Sequence, residues 1–249
     1  MDMGTILNKI VKYFTCSSQK KLPYSTDLHS HLIPEIDDGC ESLESSISLI
    51  VKMKKLGYKK LIITPHVMSH KYPNSQEIIK QGLFELRSML QVKNIKIDIE
   101  AAAEYYCDEY FLSLIQKKEL LTFGNKYVLF ELPYTTRPNI LEEVVQRLIH
   151  SGYKPVLAHP ERYRFLNTIV DYRELKKINL FFQVNVNSLG GFYGTQAQKK
   201  SLMLAQKGMV DFIGSDIHHK KHIEHFKKNI FSKHIETLFR NNKILNDTI

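Results

Sequence analysis

Short apolar or β-branched runs recur along the chain at Thr26 to Leu28, Leu61 to Thr64, Lys96 to Ala102, Tyr127 to Leu132, Pro155 to Ala158, Phe181 to Val186 and Asp211 to Gly214, and predict seven strands. Between them apolar residues return at helical spacing. Leu43, Ile47, Ile50 and Val51 make one face that stops at Gly57, and Ile79, Leu83, Leu86 and Leu90 make another. Ile140, Val144, Val145 and Leu148 form a third face ending at Gly152, and Ile223, Phe226, Ile230 and Ile235 line a last one. Strand and helix in alternation imply parallel strands. Seven such units close most economically as a distorted (β/α)7 barrel of the TIM-like kind, a single α/β domain with its active site at the C-terminal ends of the strands. A doubly wound open sheet is the alternative.

Hard ligands follow these runs. Asp27-Leu28-His29-Ser30-His31 points two imidazoles to one side of an extended backbone. Asp37-Asp38-Gly39, Thr64-Pro65-His66, Ala103-Glu104, Phe130-Glu131-Leu132, Ala158-His159-Pro160-Glu161-Arg162 and Gly214-Ser215-Asp216-Ile217-His218 repeat the theme. Any single histidine among these reads more readily as a satisfied structural residue than as a ligand, and Glu104 or Glu131 as half of an inter-helix ion pair. The joint pattern is harder to dismiss, because charged groups directly after buried strands are costly unless paired or metal-bound. Six of the seven strand ends carry His, Asp or Glu, and a ring of strand ends would gather them.

The candidate ligands are His29, His31, Asp38, His66, Glu104, Glu131, His159, Asp216 and His218, which are five imidazoles and four carboxylates. Nine ligands exceed the need of one ion and suit two or three divalent cations. Such a centre attracts a phosphate, polarises its oxygens and lowers the pKa of a water towards about 7. Arg162, three residues past His159, is placed to fork onto phosphoryl oxygens, with a surface or salt-bridge arginine as the plainer alternative.

Other chemistries fail on spacing. A thiolate phosphatase needs Arg six positions after its Cys, yet Leu22, Ser46 and Ser113 follow Cys16, Cys40 and Cys107 at that distance. No phosphate-binding Gly-x-x-x-x-Gly-Lys loop, dinucleotide Gly-x-Gly-x-x-Gly motif or Gly-x-Ser-x-Gly elbow occurs.

The 249 residues, 43% hydrophobic and 24% charged, are ordinary globular composition with no linker or low-complexity tract. Three scattered cysteines argue against a disulfide framework and suit the cytoplasm. A formal charge of +9 favours acidic partners, but Lys199-Lys200, Lys220-Lys221 and Lys227-Lys228 are separate pairs, so charge does not single out nucleic acid. Ile6, Leu7, Ile10, Val11 and Phe14 suggest a short amphipathic helix in an extension of residues 1–24, ahead of a domain over 25–249. Lys9 and Lys12 interrupt it, so neither a signal peptide nor a membrane span is expected.

From about residue 24 to about residue 240 the chain resembles the PHP (polymerase and histidinol phosphatase) superfamily, and within it the bacterial protein-tyrosine phosphatases that accompany capsule and exopolysaccharide loci. The resemblance rests on Asp27-Leu28-His29-Ser30-His31-Leu32-Ile33-Pro34 with Asp37-Asp38-Gly39, Ile63-Thr64-Pro65-His66, Ala158-His159-Pro160-Glu161-Arg162-Tyr163 and Gly214-Ser215-Asp216-Ile217-His218. It implies a seven-stranded barrel with three metals, usually manganese, although imidazole and carboxylate ligands equally permit iron or zinc. By position, one metal takes His29, His31, Glu104 and Asp216; the second shares Glu104 and adds Glu131 and His159; the third takes Asp38, His66 and His218. The resemblance also implies phosphate on Arg162 and, as substrate, the tyrosine-rich tail of a bacterial tyrosine kinase controlling polysaccharide export. Glu35 departs from the pattern by standing where this branch has Gly, which puts the turn carrying Asp38 in question.

The expectation is a cytoplasmic phosphotyrosine phosphatase in which Arg162 stabilises the transferring phosphoryl group and a protonated His218 is one candidate to assist the leaving phenolate. Tyr134, Tyr163, Phe192 and Tyr193 are candidate walls for the peptide, or core and surface residues. The rivals are a small-molecule phosphatase of the histidinol-phosphate type, a phosphodiesterase, and a non-catalytic module that binds a kinase tail.

Overall fold

The computed structural model describes residues 22–249, so the expected amphipathic segment and Cys16 lie outside the described residues. All seven expected strands form: β1 (Thr26–Leu28), β2 (Lys60–Ile63), β4 (Asp98–Ala101), β6 (Tyr127–Glu131), β7 (Lys154–Ala158), β8 (Phe181–Asn185) and β9 (Phe212–Gly214). Two short strands, β3 (His66–Val67) and β5 (Glu104–Tyr106), resume the second and third runs after a break. Pro65, which has no N–H to give to a ladder, accounts for the first interruption.

Every pair of neighbours is parallel, in ladders ordered β1-β2-β4 and β3-β5-β6-β7-β8-β9. At the outer ends of this arrangement the segments after β1 and β9 meet: the His31 N–H donates to the Ile217 carbonyl (2.9 Å) and the Asp216 N–H to the His29 carbonyl (2.8 Å). Gly214 makes that approach possible, since a Cβ there would stand 2.3 Å from the Leu28 carbonyl oxygen.

Alternate strand residues face opposite ways. Leu28, Ile62, Leu129, Val156 and Phe212 gather in a small apolar cluster together with Phe123 and Tyr127. Leu61, Ile63, Val128, Phe130, Leu157, Phe182, Val184 and Ile213 join the larger cluster that also holds the apolar faces of the helices. Each fully buried side chain of this kind contributes about 1.5–3 kcal/mol, so strand register and helix docking are specified together.

Helix α1 (Leu43–Leu56) opens with a capping box at Ser42 and ends, as expected, at Gly57 with φ 113°. Helix α2 (Gln76–Val92) buries Ile79, Leu83, Leu86 and Leu90. Helices α3 (Glu109–Lys117), α4 (Leu141–His150), α5 (Ile169–Lys177), α6 (Val186–Leu189) and α7 (Thr195–Gln206) follow. The expected last helix is two, α8 (Lys220–Asn229) and α9 (Lys233–Asn241), because Ser232 is extended at φ −78° and ψ 161°. No helix among the described residues is long and apolar enough to cross a membrane.

Candidate metal centre

Eight of the nine expected ligands lie at or within three or four residues of the C-terminal end of one of the seven expected strands, the ninth, Asp38, lies on the turn between β1 and α1, and all nine converge. His29 Nε2 stands 3.2 Å from Glu104 Oε2 and 3.4 Å from Asp216 Oδ1, while His31 Nε2 stands 3.5 Å from Glu104 Oε2. His66 Nδ1 is 3.2 Å from both Glu104 Oε2 and Glu131 Oε1, and its Nε2 is 3.4 Å from Asp38 Oδ1. His159 Nε2 is 2.9 Å from Glu104 Oε1 and His218 Nε2 is 3.5 Å from Asp38 Oδ1. Except for Asp38, which is largely exposed, and His218, which is partly so, these groups are buried.

The donor set fits divalent cations. His29 Nε2, His31 Nε2, His66 Nδ1 and Glu104 Oε2 are buried polar atoms with no hydrogen-bond partner, and all of them point into the same cluster. Two ligands about 2.1 Å from one ion stand roughly 3.0–3.4 Å apart, which is the spacing seen here. Four overlapping groups have donor atoms within 4.8 Å of one another: His29, His31 and Glu104; His66, Glu104 and Glu131; His29, His159 and Asp216; and His31, Asp38, His66 and His218. The grouping differs from the partition implied by the family resemblance, in that His31 also stands with Asp38 and His218, His66 also stands with Glu104 and Glu131, and His159 also stands with His29 and Asp216.

Three ligands hold left-handed backbone: His29 (φ 85°), His159 (φ 33°) and Asp216 (φ 49°). Such conformations cost about 1–3 kcal/mol each for residues with a side chain, and they aim the ligand out of the strand direction. Glu35 is left-handed as well (φ 65°). The turn thus keeps a glycine-like conformation despite the substitution, with the Glu35 N–H donating to the Cys40 carbonyl at 2.9 Å, and Asp38 still reaches His66 and His218.

Outer contacts set the imidazole tautomers. The His29 Nδ1–H donates to Gln183 Oε1 (2.7 Å), Gln183 Nε2 to Asn185 Oδ1 (2.8 Å), and Asn185 Nδ2 to Asp216 Oδ2 (2.7 Å), a relay joining two ligands. The His31 Nδ1–H donates to Asp37 Oδ2 (2.7 Å), which also accepts from the His66 N–H (3.0 Å), and Asp37 Oδ1 accepts from the Gly39 N–H (2.9 Å). The His218 Nδ1–H is directed at the Asp216 carbonyl (3.1 Å), and the His218 N–H donates to Nδ1 of His222 (3.1 Å). Burial, against the opposing charge of Asp216, lowers His222 to about 3, so it accepts as a neutral ring.

Asp37, Gln183 and Asn185 were not expected as functional residues. Asp37 is indistinguishable in type from its neighbour Asp38, whereas Gln183 and Asn185 carried a signal, being alternate polar positions within an apolar strand.

Arg162 lies between two tyrosine rings, 4.7 Å from the centroid of Tyr134 and 4.3 Å from that of Tyr193, and its Nη1 donates to Asp216 Oδ2 at 3.1 Å. The Tyr193 hydroxyl donates to the same oxygen at 3.0 Å. Tyr134, Tyr193 and Arg162 line a cavity of about 370 Å³ that also exposes Asp38, His66, Glu104, Glu131, His159, Asp216 and His218. Tyr163 is instead a core residue, accepting from the Leu132 N–H and donating to the Ala158 carbonyl, and Phe192 packs edge-on against His222 and His225.

Burial alone would lower the His29 imidazole, but the charges of Glu104 and Asp216 outweigh it and raise it to about 9. Against the opposing effect of burial, His29, His218 and Arg162 hold Asp216 well below the usual carboxylate range. The cluster therefore attracts positive charge strongly, as protons or as cations.

Residues 25–242 match the model of a family described as capsular polysaccharide synthesis, CpsB/CapC. The chain belongs to the CpsB/CapC family. Among its relatives, CapC of Staphylococcus aureus is 26% identical over 88% of this chain and 90% of its own length. The tyrosine-protein phosphatase YwqE of Bacillus subtilis is 29% identical over 78% of each chain. A crystal structure from a study of YwqE from Bacillus subtilis and CpsB from Streptococcus pneumoniae, described as unique metal-dependent tyrosine phosphatases, superposes with a TM-score of 0.74. It is 26% identical, over 90% of this chain and 97% of that one. The parallel α/β architecture is thus that of a CpsB/CapC protein.

Proposed function

We propose that this protein is a metal-dependent protein-tyrosine phosphatase acting in the control of capsular or extracellular polysaccharide synthesis. The observation that carries the reading is the convergence of nine ligand side chains, seven of them lining one cavity with Arg162, in a chain whose CpsB/CapC relatives are tyrosine phosphatases. The junction of the segments after β1 and β9 supports a distorted seven-unit barrel of the TIM-like kind, and the strand-end ligands support the PHP superfamily.

His29, His31, Asp38, His66, Glu104, Glu131, His159, Asp216 and His218 would hold two or three divalent cations, for which manganese is the proposed metal. When bound, such ions supply Lewis acidity to phosphoryl oxygens and activate a water as nucleophile. Arg162 binds the phosphoryl group: Nη1 is engaged by Asp216, and its remaining N–H groups are available to equatorial oxygens as charge shifts during transfer. Tyr134 and Tyr193 hold the guanidinium between their rings and offer aromatic surface to the substrate ring. Asp216 divides its oxygens, Oδ2 to Arg162, Asn185 and Tyr193 and Oδ1 to the cation cluster, and so fixes the distance between the two.

With the Nδ1–H of His218 on a backbone carbonyl, Nε2 is the nitrogen left with a lone pair and it faces Asp38 in the cluster, so a ligand role suits this residue better than that of the leaving-group acid. A phenolate, with a pKa near 10, leaves with water as its proton source. The proposed substrate is the phosphorylated tail of a bacterial tyrosine kinase in the cytoplasm. Comparing turnover of a phosphotyrosine peptide, histidinol phosphate and a DNA oligonucleotide tests the assignment. Preference for the peptide is expected; preference for either of the others would replace it.

A further inference from the structure

A second cavity, of about 820 Å³, lies on the other side of the Arg162 wall. The two cavities share Tyr134, Arg162 and Tyr193, so the guanidinium sandwiched between the rings is the partition between them. At more than twice the volume of the metal cavity, the second has room for a stretch of peptide, not merely a phosphoryl group.

Its charge is one-sided. Arg164 and Lys200 join Arg162 on the lining. Arg164 is exposed and makes no ion pair among the described residues. Lys200 is buried and spends one N–H on the Tyr163 carbonyl at 2.8 Å, which leaves two donors for a ligand. Thr195, Gln196 and Ala197, the first turn of α7, line the same space, and no side chain caps that helix. Unclaimed N–H groups at the start of a twelve-residue helix add positive potential. Glu161 is the only acid on the lining; its Oε1 already accepts from the Asn185 N–H and the Ser188 hydroxyl, while its Oε2 is buried with no hydrogen-bond partner.

We propose that this cavity is an anion subsite for the peptide flanking the phosphotyrosine, so that the enzyme prefers substrates carrying a carboxylate or a second phosphate close to the scissile group. The inference rests on the phosphatase reading above. With the phosphoryl group held by Arg162 on one face of the wall, the chain leaving the tyrosine has the cationic cavity beside it on the other. On the lining itself three positive side chains and a helix terminus meet one acid, Glu161; from outside it Asp216 pairs with Arg162 and Asp171 attracts Lys200, which leaves Arg164 without an acidic partner among the described residues. A ligand of opposite sign is the chemistry that completes them.

The experiment is kcat/KM for a series of phosphotyrosine peptides identical except at one flanking position, which carries Asp, phosphoserine, Asn or Lys and is moved through the residues on either side. The wild-type protein, loaded with its most activating divalent metal, is compared with Arg164→Glu. Expected is a gain of about fivefold, mainly in KM, for Asp or phosphoserine over Asn at one or more positions, with Lys poorest. Arg164→Glu should abolish or invert that ratio. Because the ratio is internal to each protein, partial loss of folded material cancels. A gain with phosphoserine alone assigns the subsite to a second phosphate. Equal kcat/KM across the series, or an unchanged ratio in Arg164→Glu, overturns the subsite while leaving the phosphatase intact. No turnover of any peptide overturns both.

Discussion

Nη1 of Arg162 donates to Oδ2 of Asp216 at 3.1 Å, and the other oxygen of that carboxylate faces His29 Nε2 at 3.4 Å. One side chain thereby ties the phosphate-binding cation to the metal cluster. Replacing Arg162 with Ala should lower kcat/KM on a phosphotyrosine peptide by about 100-fold or more, with the fold and metal content kept. Arg162→Lys should recover little, since an ammonium neither forks onto phosphate nor stacks between two rings. Steady-state kinetics with circular dichroism and metal analysis check this; full activity of either variant would remove Arg162 from the site.

Asp37 binds no cation in the groups described above, yet it orients His31 and receives the N–H groups of His66 and Gly39. Asp37→Ala frees the His31 tautomer and loosens the turn carrying Asp38, so metal affinity should fall by about 10–100-fold. Competition titration with a chelator measures it. Unchanged affinity would make Asp37 a bystander.

Cation loading should depend on pH in a definite direction. His29 is raised to about 9 in the cation-free cluster because the charges of Glu104 and Asp216 outweigh burial, so below that pH a cation must displace protons. Apparent metal affinity should rise with pH up to about 9, and loading should release protons. Calorimetry in buffers of different ionisation enthalpy reads the number released. Loading without proton release would contradict the picture of protons standing where cations bind.

Glu35 keeps a left-handed backbone at φ 65° on an exposed turn, a conformation that glycine adopts without strain. Glu35→Gly should stabilise the protein by about 0.5–1 kcal/mol in urea unfolding, relief of strain exceeding the added unfolded-state entropy. Destabilisation would mean that the Glu35 side chain holds the turn through contacts of its own.

Strand positions were legible because buried parallel strands read as apolar runs, and the ligands were legible because charge directly after such runs is costly without a partner. Helices α3, α5, α6 and α7 were not among the faces read from the sequence; α7 buries Lys200 and Ser201 beside Ala197, Leu204 and Ala205, so its inward face does not stand out as an apolar stripe. The division of the last helix was announced by the step from Ile230 to Ile235, longer than the three or four residues that keep one helix face. Tyr163 and Tyr134 are alike in sequence and opposite in role. Only the hydrogen bonds of Tyr163 to Leu132 and Ala158, and the stacking of Arg162 on Tyr134, separate core from wall. The relay from His29 through Gln183 and Asn185 to Asp216 joins β8 to residues at the ends of β1 and β9, and such a relation between strands needs the fold.

Phosphate release from a tyrosine-phosphorylated peptide, followed through removal of metal by a chelator and stepwise return of manganese, is the measurement to make first. A metal-dependent phosphatase loses turnover on chelation and regains it as about three divalent ions bind per chain. Full turnover by the metal-free protein, or none by the fully loaded one, would contradict the assignment of this centre to phosphotyrosine hydrolysis.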